Sequence, residues 1–282
     1  MSVRIDFTKG HGTENDFVVV DDPDGLLDLD ATAVTALADR RTGIGGDGVI
    51  RAVRSRSAGI DAPGDAPEWF MDYRNADGSI AEMCGNGVRV LAAHLQRAGH
   101  VAGSRFEILT RAGVRAVEIL ARPDGPGGPW SVRVGMGSAR CTPHARTVEI
   151  AGQRLAATDV DMGNPHAVAF LPAQTALEGL DLTRRPRLDP EPVAGANIEL
   201  VSERGPRHVA MRVHERGVGE TRSCGTGVAA VAIAAARRAG DDSREPWTVD
   251  VPGGRLQVGW DADGDVLLTG PAQLVAEGTT LA

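Results

Sequence analysis

A chain of 282 residues, 42% hydrophobic and 24% charged, has the makeup of a globular protein with material for one large domain or two ordinary ones. Its net charge of −8 excludes the basic stripe of a nucleic-acid surface, and no run of about 18 apolar residues offers a membrane span. The opening "MSVRIDFTKGHG" lacks the apolar core of a signal peptide, so the expected setting is cytoplasmic.

Taken in order, the chain reads as many short strands and few helices. "VRIDFTKG", "DFVVVDD", "GVIRAVR", "EWFMDYR", "FEILTRAG" and "RAVEILA" each gather β-branched or aromatic residues between Gly, Asp or Asn. Among them "LDATAVTALADRRTG" predicts a helix with Asp30 at its start and Gly43 past its end. The glycine-rich "GIGGDGVI" that follows lacks a full G-x-G-x-x-G. It also comes after a helix and before a strand, the reverse of a dinucleotide-binding turn, so it reads as a tight glycine turn. The tract "PDGPGGP" at 123–129 has the composition of a linker, but the flanking "RAVEILAR" and "WSVRVGMG" make it the loop of a long hairpin. A second half repeats the style with "HARTVEIAGQRL", "HAVAFL", "NIELVSE", "HVAMRVHE", "WTVDVPGGRLQVGW" and "DVLLTG".

Each half also contains a helix that opens at a Cys-Gly, in "EMCGNGVRVLAAHLQRAG" and "RSCGTGVAAVAIAAARRAG". The helices are expected over 88–98 and 228–238, with Gly99 and Gly240 as stops. Cys84 and Cys224 stand 140 residues apart, the size of a domain, which predicts an internal duplication into two similar α+β domains. A helix N-terminus exposes amides without intrahelical partners and a partial positive charge. Glycine there lets a carboxylate approach those amides, and a thiol there is expected to ionise more readily than usual. Small residues at a helix start also permit tight packing, with the cysteine an ordinary buried apolar group. One copy of the motif leaves that choice open, and two copies at matched positions favour a functional pair. Cys141 has no such setting.

Three cysteines at these spacings make no disulfide framework, and no C-x-x-C or zinc-ligand spacing is present. Lys9 is the only lysine, so the sequence has no Walker-A lysine and only a poor candidate for a pyridoxal Schiff base. Polar residues gather near the two motifs: Asn75 and Asn86, then Asn164 and His166, Asn197, and Glu215 with Arg216. Singly, each is ordinary turn chemistry. Together they suit a zwitterion, Arg gripping carboxylate and Glu and Asn gripping ammonium.

At "HGTENDFVVVD", "NADGSIAEMCGNGVR", "MGNPHAV", "NIELV" and "ERGVGETRSCGTGVAA" the sequence resembles the diaminopimelate epimerase family, from residue 11 to residue 230 in family order. The resemblance implies an α+β fold of two pseudo-symmetric domains, each a mainly antiparallel sheet wrapped around a central helix, with the active site in the cleft between them. The domains would be 1–136 with a C-terminal return of 272–282, and 137–271. It implies that Cys84 and Cys224 are the acid–base pair and that Asn15, Asn75, Asn164, Asn197, Glu215 and Arg216 bind substrate. Gly85 and Asn86, with Gly225 and Thr226, would hold the carboxylate at the reacting centre, while His166 and Glu215 would tune the cysteines. A cytoplasmic homodimer acting on diaminopimelate, with no cofactor, metal, nucleic acid or membrane partner, completes the expectation. Gly48, His214 and Thr13-Glu14 depart from residues usual in the family.

Inverting an α-carbon means taking a proton from one face and returning one to the other, which two thiols in opposite protonation states accomplish. The weak acidity of that carbon would be met by helix N-termini opposing the enolate-like charge, in the manner of an oxyanion hole. Two other readings compete. A proline-racemase-type enzyme on the same scaffold has no need of a far-end set such as Asn15, Asn164, Asn197 and Arg216. A non-catalytic thiol module for metal or redox sensing lacks the ligand spacing.

Overall fold

A computed structural model describes residues 4–125 and 127–281; residues 1–3, residue 126 within the 123–129 tract, and residue 282 lie outside the described residues, as do the outermost ends of the expected first domain. The chain divides into two compact units, Met1–Val134 with Gly270–Ala282, and Gly135–Thr269. The boundaries fall within the strands Trp130–Gly137 and Val266–Leu281, so continuous backbone carries the chain from one unit to the other at both places.

In the first unit Arg4–Gly12 and Asn15–Asp21 form an antiparallel hairpin. The ladder continues to Gly48–Arg54 (parallel), Trp69–Asn75 (antiparallel), Arg105–Thr110 (parallel), Gly113–Ala121 and Trp130–Gly137 (both antiparallel). The last strand returns antiparallel to the first, pairing Arg4 with Leu281 and His11 with Gln273. Parallel neighbours need a crossover, and each crossover here contains a helix: α1 (Ala31–Ala38) before Gly48, and α2 (Gly85–Arg97) before Arg105. Every residue of α2 from Gly85 to Gln96 is buried, against strands Arg4–Gly12, Asn15–Asp21, Gly48–Arg54, Trp69–Asn75 and Gly113–Ala121. Its Val88, Val90, Leu91 and Leu95 are fully enclosed. Truncating one such leucine to alanine costs about 2–5 kcal/mol, so α2 and its cysteine cap are held as a rigid element.

The second unit has the same order of neighbours. Arg140–Ile150, Gln153–Asp161 and Pro165–Phe170 run antiparallel in turn, Asn197–Gly205 joins in parallel and His208–Glu215 antiparallel. Trp247–Val251 then joins in parallel, followed antiparallel by Gly254–Trp260 and the start of the last strand. The crossover to Trp247 is α3 (Gly225–Ala239), whose Val228, Ala229, Ala230, Val231 and Ala232 are wholly buried. Alanine suits this position twice over, as the best helix former and as a side chain short enough for strands to close on several sides.

Both long helices begin at the first Cys-Gly glycine, three residues before the apolar periodicity, with Cys84 and Cys224 as extended N-cap residues. Glycine's poor helix propensity hides this start in the sequence, and burial of the first turn overrides it. The stops lie at the expected glycines, Gly99 with φ of 77° and Gly240 with φ of 63°. Helix α1 is shorter than its sequence pattern. It ends at Ala38 because Asp39 turns extended, and its carboxylate takes the Arg41 and Thr42 amides at 2.8 and 2.6 Å. Trp130–Gly137 pairs with Gly113–Ala121 as the two arms of a hairpin.

Candidate active site

Each cysteine occupies the same local position. Its carbonyl receives the first helical bond, Val88 N–H to Cys84 and Val228 N–H to Cys224, both at 2.9 Å. Neither thiol caps its own helix. The amides of Gly85–Asn86 and Gly225–Thr226 are therefore the first-turn donors of helices long enough to carry a dipole.

In the first unit, Cys84 donates to Asn15 Oδ1 at 3.5 Å, and Asn86 Nδ2 donates to the same oxygen at 3.1 Å. Asn15 is set by its own donor bond to Asp47 at 2.7 Å, and Asp47 is held by Arg40 at 2.8 Å. Arg40 also pairs with Asp16, as does Lys9 at 2.5 Å. Burial alone would raise Asp16, but the bonds from Arg40 and Lys9 outweigh it and hold the carboxyl far below the usual range. Behind Cys84 lies Arg89, wholly buried, which donates to Asn86 Oδ1 at 2.9 Å, to the Gly85 carbonyl and to the Pro271 carbonyl. Among the described residues no carboxylate pairs with it. Burial lowers its pKa to about 10, against the attraction of Cys84.

Asn75 ends its strand opposite Gly48. It accepts from the Tyr73 hydroxyl at 3.1 Å and donates to Ser79 at 3.0 Å, so much of its capacity is spent locally. A Cβ on Gly48 would lie 2.5 Å from the Arg74 carbonyl and 2.6 Å from the Tyr73 ring. No side chain fits there. The Thr13-Glu14 turn takes two left-handed residues, φ of 52° and 63°, an unusual demand on side chains larger than Asn.

In the second unit, Cys224 is buried within reach of the charge of Glu215, which accepts a short bond from the Thr221 hydroxyl. Burial first, and then the Glu215 charge, push the Cys224 thiol well above its ordinary value. This reverses the direction that the helix terminus alone predicts: desolvation outweighs the dipole. Burial likewise raises Glu215, against the bond from the Thr221 hydroxyl. Thr226 Oγ1 is 3.5 Å from the sulfur and accepts from Asn164 Nδ2 at 3.3 Å. His166 contacts Asn164 Oδ1 at 3.1 Å through Nε2 and Glu199 at 2.6 Å through Nδ1. Asn197 Oδ1 accepts the Arg216 amide at 2.9 Å. The Arg216 guanidinium bonds the Ala194 carbonyl at 2.7 Å and is exposed. A thiol near a carboxylate and a hydroxyl can lose its proton toward the first while the second stabilises the charge left behind.

The structure thus gathers Asn15, Gly85 and Asn86 around Cys84, and Asn164, His166, Asn197, Glu215, Arg216, Gly225 and Thr226 in the network of Cys224. Asn75 lies at the neighbouring strand end, its side chain bonded to Tyr73 and Ser79 and not to this cluster. Sequence reading missed Asp47, Arg89 and Glu199. A charge inside an otherwise apolar run, as in "NIELV" and "GVRVLAA", was the available signal. Two cavities of the second unit, about 730 Å³ near Trp247 and about 800 Å³ near Arg212, are lined by neither cysteine. A third, about 300 Å³, reaches His166.

A sequence model of the diaminopimelate epimerase family matches residues 7–142 and 158–275. The chain is 53% identical to the diaminopimelate epimerase of Streptomyces coelicolor, over 99% of this chain and 96% of that protein. It is 49% identical to that of Thermobifida fusca (96% of both) and 47% identical to that of Corynebacterium glutamicum (99% of both). Among solved structures, a Bacillus anthracis phenazine biosynthesis protein of the PhzF family aligns with a TM-score of 0.73 at 15% identity, covering 99% of this chain and all of that one. An Agrobacterium vitis hydroxyproline epimerase with bound trans-4-hydroxy-L-proline aligns at 0.67 and 14% identity, over 99% of this chain and 91% of that one. These two alignments show the shared fold.

Proposed function

The chain belongs to the diaminopimelate epimerase family, and on that premise we propose that it interconverts L,L- and meso-diaminopimelate, with Cys84 and Cys224 as the two acid–base groups. This is the isomerisation that supplies meso-diaminopimelate to lysine and peptidoglycan precursor synthesis. The observation that carries the reading is the matched placement of the cysteines, each the N-cap of the long buried helix of its unit among the described residues and each with a polar side chain of its own within reach of the sulfur. The common order of strand neighbours supports treating the units as duplicated half-sites, and on this reading the substrate lies between them.

One thiolate removes the α-proton while the opposite thiol delivers its own, and the exchange of roles lets the reaction run both ways. The reacting carboxylate would rest on the first-turn amides at Gly85–Asn86 and Gly225–Thr226, which oppose its growing enolate-like charge. Glu215 would accept the proton of Cys224. Asn15, Asn75, Asn164, Asn197 and Arg216 would grip the remaining polar groups of the substrate, Arg216 suiting a carboxylate. Lys9 is held by Asp16 at 2.5 Å, so the only lysine of the chain is poorly placed for an imine.

The test is deuterium uptake into the α-position of L,L-diaminopimelate in D₂O. The native protein is expected to place solvent deuterium in the meso product, and Cys84→Ala and Cys224→Ala to abolish turnover while remaining folded. Either variant turning over at a substantial fraction of the native rate would rule out the two-base assignment. Proline exchanging in place of diaminopimelate would rule out the substrate.

A further inference from the structure

Glu199 is wholly buried as the third residue of strand Asn197–Gly205, between Ile198 and Leu200. A carboxylate there loses its hydration, a cost of several kcal/mol unless a partner charge compensates. One oxygen meets His166 Nδ1 at 2.6 Å, with both side chains shut off from solvent. The other, Oε2, is buried with no hydrogen-bond partner. The carboxylate also presses on the first turn of α3, since a Cβ added to Gly227 would stand 2.8 Å from Glu199 Oε1 and 3.4 Å from Cys224 Sγ.

The far side of the ring decides what this pairing does. His166 Nε2 faces another acceptor, Asn164 Oδ1, at 3.1 Å. With Glu199 as a carboxylate, both neighbours of the ring are acceptors, and the ring satisfies both only by carrying both protons, with Glu199 at 2.6 Å as its counter-charge. Asn197 Nδ2 stands 3.5 Å from Nδ1, too far to compete. With Asn164 Oδ1 committed to the ring, its Nδ2 donates to Thr226 Oγ1 at 3.3 Å. The Thr226 hydroxyl has then accepted its bond and has its own proton free for Cys224 Sγ, 3.5 Å away.

Resting on the epimerase reading, we infer that Glu199 is a positioning residue for the reaction: it keeps both protons on His166 and thereby directs a chain of hydrogen bonds, through Asn164 and Thr226, toward the sulfur of Cys224. Glutamine at 199 removes the counter-charge and leaves His166 neutral, with one protonated nitrogen. If that proton lies on Nδ1, Asn164 must reverse, and the Thr226 hydroxyl then donates to Asn164 rather than to sulfur. The half of the site that must hold a thiolate then loses the Thr226 hydroxyl as a donor.

Nitrogen-15 NMR of the histidine-labelled, substrate-free protein tests this at neutral pH, with His166 assigned by its loss in His166→Asn. Both ring nitrogens are expected to be protonated in the native protein, and one of them to lose its proton in Glu199→Gln. That variant is expected to keep its KM and lose about 10–100-fold in kcat, less than the roughly 10⁴-fold seen when a carboxylate orienting a catalytic histidine directly is removed. A native His166 with one bare nitrogen overturns the inference, even if Glu199→Gln fails to fold. So does an unchanged kcat, or a lowered kcat with both nitrogens still protonated. Because the native spectrum is taken without substrate, failure of the protein to act on diaminopimelate would sink the function and leave this measurement standing.

Discussion

Cys84 Sγ lies 3.5 Å from Asn15 Oδ1 and donates to it, so the first thiol meets a neutral amide, whereas the negative charge of Glu215 acts on Cys224. The two sulfurs have the same helical setting and opposite electrostatic surroundings. An enzyme that runs with one thiol and one thiolate starts from such an asymmetry.

Alkylation of the resting protein reads it directly. Cys224 is buried and its thiol is raised by burial and by Glu215, while Cys84 and Cys141 are half-buried. Because the thiolate is the nucleophile, iodoacetamide at neutral pH is expected to label Cys84 and Cys141 first and Cys224 last, followed by peptide mass spectrometry. Labelling of Cys224 as fast as Cys141 would contradict the buried, proton-retaining thiol.

Arg89 separates charge from architecture. Its guanidinium bonds four acceptors by shape, Pro271, Gly85, Thr13 and Asn86, and attracts Cys84 by charge. Arg89→Met leaves those acceptors unmet and is expected to cost about 2–4 kcal/mol, at about 1–3 kcal/mol for each buried group left unsatisfied, partly offset by the easier burial of methionine. It is also expected to slow alkylation of Cys84. Arg89→Lys keeps the charge without the fork, so it should restore the alkylation rate more fully than the melting temperature. Equal behaviour of the two variants in both measurements would refute the division.

Glu215 gives a pH dependence with a definite sign. Burial raises its carboxyl in the folded protein, so the native state holds that proton more tightly than the unfolded chain does. Stability then falls as pH rises from the ordinary carboxylate value through the raised one, and the full penalty is present above that window. Glu215→Gln removes the penalty. It should melt higher than the parent at pH 7, with the gap closing below about pH 4, while activity drops by about 10²–10⁴ as a general base is lost. A variant that is less stable at every pH would show that the carboxylate is stabilising after all.

What the sequence discloses here is what is local. The β-branched runs mark strands because side-chain alternation is set within a few residues, and Gly99 and Gly240 mark helix ends because a left-handed residue is needed there. The Cys-Gly starts are visible because the motif occurs twice. Asp47 is different: it matters because the parallel pairing of Phe17 with Gly48 brings it under Asn15, a contact spanning 32 residues. Glu199 reaches His166 through another parallel register, Val168 opposite Glu199. Strand register across a crossover is not written in either segment alone, so the residues that support the cysteines stay hidden while the cysteines themselves stand out.

The glycines that stand third in these two helices, Gly87 and Gly227, provide a last comparison within one protein. A Cβ on Gly87 would meet Met71 Cε at 2.6 Å and Ile50 Cδ1 at 3.1 Å, the movable ends of flexible side chains. A Cβ on Gly227 would meet Glu199 Oε1 at 2.8 Å, an oxygen fixed by its bond to His166. Alanine gains up to about 1 kcal/mol over glycine in a helix, which offsets a small rearrangement of Met71 but not displacement of a buried ion pair. Gly87→Ala is therefore expected to leave thermal stability near that of the parent. Gly227→Ala should lose about 1–3 kcal/mol, the range for overpacking, together with turnover. Denaturant melts of the two variants decide it, and a Gly227→Ala protein as stable and active as the parent would mean that Glu199 is free to move.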